Sequence, residues 1–124
     1  MEKVVIIIVA FLTLNSCQFI GVRKGINFKI ENKSNNTLKQ ITFSTSEMLD
    51  VISFDNINPN ESVSGFLTMK DNKSDGTYVL EFTQNGKREI KRNGYYTNGI
   101  ALDHWIEFEI KNDTITSRLG GKNQ

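Results

Sequence analysis

The chain reads as all-β: a small antiparallel sandwich, immunoglobulin-like, of seven to eight short strands. Two observations carry that expectation. From Gly25 onward apolar residues alternate with polar ones instead of recurring at helical spacing. Clusters of Asn, Asp, Gly and Ser, with the single Pro, break this alternation about every 8–12 residues, the rhythm of a sandwich or a small β-barrel. No internal repeat is visible, which sets a propeller or solenoid aside.

The elements follow in order. In INFKIEN, Ile26, Phe28 and Ile30 share one face and Asn27, Lys29 and Glu31 the other. After the polar turn NKSNN, LKQITFST resumes with Ile41 and Phe43 facing together. SEMLD, from Ser46 to Asp50, is the one place where a helical turn fits. A short strand around Val51 to Phe54 ends at NINPNES, because Pro59 lacks a donor and belongs in a turn. The segment Val63 to Met69 is the next strand, closed by DNKSDG as a hairpin turn. TYVLEFT then aligns Tyr78, Leu80 and Phe82.

Asn85-Gly86 is a two-residue hairpin signal, since both residues accept positive φ. Its partner KREIKR is mostly charged, as suits an edge strand. HWIEFEIK sets Ile106, Phe108 and Ile110 against Trp105, Glu107 and Glu109. Asn112-Asp113 turns the chain back into TITSRL, and GGKNQ reads as a loose tail.

The chain has 124 residues, which implies one domain. Lys and Arg number 15 against 14 Asp and Glu, so no basic face argues for nucleic acid. Fourteen asparagines are read as the imprint of an AT-rich genome rather than as a ligand-facing ladder.

The start is different in kind. Val4 to Leu14, VVIIIVAFLTL, is an eleven-residue run behind a short head carrying Lys3. As a helix it rises only about 16 Å, too short for a hydrocarbon layer of about 30 Å, and its layout is that of a signal peptide. Leu14-Asn15-Ser16-Cys17 resembles the lipobox of bacterial lipoproteins, in the Leu-x-Ser-Cys form familiar among the Bacteroidota. The resemblance covers about the first seventeen residues. It implies that the Cys17 thiol carries diacylglycerol, that a peptidase cuts between Ser16 and Cys17, and that the new amine is often acylated as well. Gln18 does not match the aspartate that retains lipoproteins at the inner membrane, which implies the outer membrane. Arg23 and Lys24, in place of the acidic cluster of surface-exported lipoproteins, point to its periplasmic face. On this reading residues 1–16 are the signal and 17–25 the lipidated tether. The sandwich occupies 26–119, and 120–124 form a flexible tail. An acylated Cys17, the only cysteine, leaves no thiol for a disulfide.

Chemistry is sparse. The only histidine, His104, is flanked by Asp103, but strand neighbours face opposite sides and adjacency alone orients nothing. One histidine and a lipidated cysteine supply no metal set. DNKSDG fails as a calcium loop, with Lys73 at its third position and Phe82 at its twelfth. Glu107 and Glu109 share a strand face, where a carboxylate pair is ordinarily solvated surface. The distinctive texture is NGYYTNG, Asn93 to Gly99. Tyr95 and Tyr96, with Trp105, are the candidate contacts for a ligand or partner, because such rings offer large rigid area with a polar tip. The expected function is a non-enzymatic, lipid-anchored binding or accessory module of the cell envelope. It calls for no cofactor, and its partner is an envelope protein or a glycan. An immunity or inhibitor protein would share the architecture. A cell-wall hydrolase acting through Glu107 or Asp103 is the rival from another class.

Overall fold

Nearly every alternating segment becomes a strand in the computed structural model, which describes residues 24–122. Ser16 and Cys17, with the rest of the segment expected to be a signal and most of the expected tether, lie outside the described residues. The strands are β1 (Gly25–Asn32), β2 (Leu38–Thr45), β3 (Val51–Ile57), β4 (Ser62–Thr68), β5 (Gly76–Gln84), β6 (Lys87–Thr97), β7 (Ile100–Ala101), β8 (Asp103–Ile110) and β9 (Ile115–Lys122). Two sheets form, ordered β4-β1-β8-β9 and β3-β2-β5-β6-β7. They pack face to face as the expected all-β sandwich, with nine strands among the described residues against an expectation of seven or eight. Pairing is antiparallel throughout except between β1 and β8, which run parallel with Phe28 opposite Ile106.

Burial of the inward faces holds the sheets together. Ile26, Phe28 and Ile30 from β1 and Ile106, Phe108 and Ile110 from β8 meet Phe43, Tyr78, Leu80 and Phe82 of the other sheet. Phe43 sits at the centre, with ring centroids 4.7 Å from Phe28, 5.7 Å from Phe108 and 6.3 Å from Tyr78. Two bulges keep this core apolar. In β2 the register shifts between Lys39 and Thr42, so Leu38 and Ile41, three residues apart, both face inward. Gln40 takes the left-handed conformation there, φ 49°, and its carbonyl accepts from Arg88 Nη1 at 2.7 Å. In β6 the shift falls at Gly94, φ 81°, and brings Tyr96 inward.

Several expected boundaries change. DNKSDG is no hairpin turn: β4 and β5 belong to different sheets, and this segment crosses between them. NGYYTNG is strand up to Thr97, and only Asn98-Gly99 turns, with φ of 51° and 74°. Residues 46–50 form a turn rather than a helix, closed by Met48 N donating to Thr45 O at 2.9 Å. β9 runs through Gly120 and Gly121 to Lys122, past the Leu119 boundary drawn for the domain. The Asn85-Gly86 hairpin forms as expected, with φ of 51° and 76°.

The strand directions give the sandwich two distinct ends. One carries Lys24, the first described residue, the close of β9, the 46–50 and 69–75 segments and the 98–99 turn. The other carries the β1–β2, β3–β4, β5–β6 and β8–β9 connections.

Candidate functional site

The clearest concavity is a groove of about 630 Å³ at the end away from Lys24. Turn geometry creates it. The two-residue Asn85-Gly86 turn pairs Gln84 with Lys87, which sets Phe82 opposite Glu89 and Leu80 opposite Lys91. Directly opposed residues share a face. Because Phe82 and Leu80 face the core, Glu89 and Lys91 are aimed into the gap between the sheets, and Ile90 is left outside, 47% exposed. Charges that cannot be buried hold this seam open and hydrated. Farther along β6 it closes: Asn93 Nδ2 donates to Ser117 Oγ of β9, and Gly94 packs between Tyr78 and Leu119.

The groove is framed by Asn36, Asn85, Asn112 and Asp113 from three turns and by Lys87, Glu89 and Lys91 from β6. Its base is tied down. Gln84 Nε2 donates to Lys111 O at 3.1 Å, the Asn35 backbone N–H donates to Asn112 Oδ1 at 2.8 Å, and Lys87 pairs with Glu89 at 3.8 Å. The groove is as large as a small-molecule site but polar where those are apolar. Amides and ammonium groups beside carboxylates suit a hydrated, hydrogen-bonding ligand.

The aromatic residues expected to make contact do not form one surface. Tyr96 must be removed from the set: the Gly94 bulge buries it completely. Its ring packs 5.7 Å from Tyr78, and its hydroxyl donates to Glu47 Oε1 at 2.8 Å. Tyr95 stays outside, 55% exposed. Trp105 lies opposite Gly120, and a Cβ on Gly120 would come within 2.2 Å of its ring. The half-buried indole thus covers the bare backbone of an edge strand, a structural use of the ring. Tyr95 and Trp105 point from the outer faces of different sheets.

Near Lys24 a polar network knits the loops. Asn72, almost fully buried, donates through Nδ2 to Thr45 Oγ1 at 2.9 Å and Glu47 Oε1 at 3.1 Å. Asn98 N donates to Asp75 Oδ1, and Gly99 N to Ser74 O, both at 2.9 Å. The Tyr96 hydroxyl, with help from Asn72, holds the Glu47 carboxyl below the usual glutamate range. On the outer face of β8, Glu107 pairs with Arg118, and Glu109 pairs with Lys33 at 3.3 Å and Lys111 at 3.7 Å. Lys33 keeps the Glu109 carboxyl below its ordinary range, the opposite of what a general acid needs.

Neither a protein-family model nor a curated protein matches the chain. Among solved structures, an NMR structure of a protein from Eubacterium rectale is similar, with a TM-score of 0.53 at 10% identity. The match covers 82% of this chain and 94% of that one. At that identity the likeness speaks for the fold alone.

Proposed function

We propose that the protein is a lipid-anchored component of the bacterial cell envelope that works by binding, and that the polar groove is its recognition surface. The observation that carries this reading is the groove's position. It opens at the end of the sandwich opposite Lys24, so a domain tethered through Cys17 would present it away from the lipid. Attachment to a surface raises the effective concentration of a partner on the same membrane, so contacts made by a few amides and ammonium groups suffice. The partner is another envelope component offering hydrogen-bonding groups.

The test is capture from envelope membranes by the full, acylated protein. A stoichiometric protein partner that is lost with Lys91→Glu and kept with Tyr95→Ala supports the groove. Loss with Tyr95→Ala alone moves the contact to the outer face of β6, where that ring is exposed. Retention of glycan without any protein makes the domain a sugar-binding module. Turnover of cell-wall material abolished by Glu107→Gln overturns a binding role.

A further inference from the structure

Exposed apolar side chains are unevenly distributed over the molecule. Single ones scattered on a surface are ordinary, whereas a concentration of them marks a contact. Here Met48, Leu49, Val51, Ile100 and Leu102 all project from the end of the sandwich that carries Lys24, Met48 with 64% of its surface in solvent. Tyr95 and Phe66, also exposed, stand one to three residues from that end on their strands. Toward the opposite end Ile90, three residues in from the start of β6, is the one large exposed apolar side chain among the described residues.

These side chains stand on a fixed platform. Ser46 Oγ accepts from Thr77 N, Asn72 joins Thr45 to Glu47, and Gly99 closes on Ser74. Lys24 belongs to the same platform, its carbonyl accepting from Met69 N at 3.0 Å.

We propose that this end is a lipid-docking face, on which Met48, Leu49, Val51, Ile100 and Leu102 enter the headgroup layer of the membrane that holds Cys17. The inference rests on the anchoring of Cys17, and chain length turns anchoring into contact. Lys24 lies seven residues on from Cys17, and even a fully extended chain of that length reaches only about 25 Å. A lipid on Cys17 therefore keeps this end within about 25 Å of the bilayer and makes it the end nearest to the lipid. The contact is apolar rather than electrostatic, since Lys24, Lys70 and Lys73 are interspersed with Glu47, Asp50, Asp71 and Asp75. Those charges limit insertion to the outermost part of the interface and make the docking insensitive to salt.

The full-length protein tests this directly, because acylation of Cys17 leaves an introduced cysteine as the only free thiol. Leu49→Cys and Asp113→Cys, at opposite ends of the sandwich, each receive a polarity-sensitive fluorophore. The acylated proteins are placed in phosphatidylethanolamine–phosphatidylglycerol vesicles containing spin-labelled lipid. The expected result is a blue-shifted, lipid-quenched probe at position 49 and a water-like, unquenched probe at position 113. Acylated protein with position 49 unquenched overturns the docking face and leaves the anchor standing, and a shifted but unquenched probe assigns the face to a protein contact instead. Absence of palmitate on the purified protein overturns the anchor and the docking together.

Discussion

Gly94 decides which of two adjacent tyrosines enters the core, so its replacement by alanine should be expensive. Two terms add. The left-handed backbone, φ 81°, disfavours a Cβ by about 1–2 kcal/mol. That Cβ would also lie 2.6 Å from Cδ2 of Tyr78 and 3.0 Å from Cδ2 of Leu119. Tyr78 is locked between Phe43 and Tyr96, so overpacking adds about 1–3 kcal/mol. Together Gly94→Ala should destabilise by about 2–5 kcal/mol. Gly86 supplies the control: its φ is 76°, but a Cβ there meets nothing within 4 Å, so Gly86→Ala bears the backbone term alone. Urea unfolding followed by the fluorescence of Trp105 measures both, and Gly94→Ala should lower the midpoint by roughly 1–3 M. If Gly94→Ala loses no more than Gly86→Ala, the packing argument for the bulge fails.

Further outcomes follow from the same geometry. Phe43→Ala, at the centre of the aromatic cluster, should cost about 3–5 kcal/mol by the same assay, and less than 2 would mean the core collapses around the gap. Gln40→Gly relieves a left-handed glutamine and should stabilise by up to about 1 kcal/mol; destabilisation would show that the Gln40 side chain matters. Glu47 has a lowered folded pKa, so its stabilising contribution is present above the unfolded value and lost as pH falls through the folded one. Between pH 7 and about pH 3 the wild type should therefore lose more melting temperature than Glu47→Gln, and equal losses would contradict the role of the Tyr96 contact.

The fold was legible because strand alternation and turn chemistry are local. Ile106, Phe108 and Ile110 face inward as their spacing says, and Asn85-Gly86 turns as its composition says. Structure departs from the spacing where one residue's conformation resets the alternation. Nothing in the spacing of Asn93 to Tyr96 shows that Gly94 adds a residue to the strand, and so by spacing alone Tyr96 is indistinguishable from its exposed neighbour Tyr95. The groove was hidden for a related reason. KREIKR reads as an edge strand with Ile90 as its apolar residue, but the length of the preceding turn dictates that Glu89 and Lys91 face the seam. The register rule for two-residue hairpins places Glu89 opposite Phe82, and that pairing is the signal for the groove in the sequence. The asparagines, read as genome composition, include Asn32 and Asn72 as buried hydrogen-bonding hubs and Asn60, Asn85 and Asn98 in left-handed turns. The clustering of apolar loop tips at the Lys24 end depends on which loops topology brings together, and no window of sequence contains that.

The central claim is that Cys17 anchors the protein, and metabolic labelling with radioactive palmitate tests it most directly. The wild-type protein should take up label and remain in the membrane fraction, globomycin should block its processing, and Cys17→Ala should carry no label. A wild-type protein without label, or label that persists on Cys17→Ala, would contradict the account.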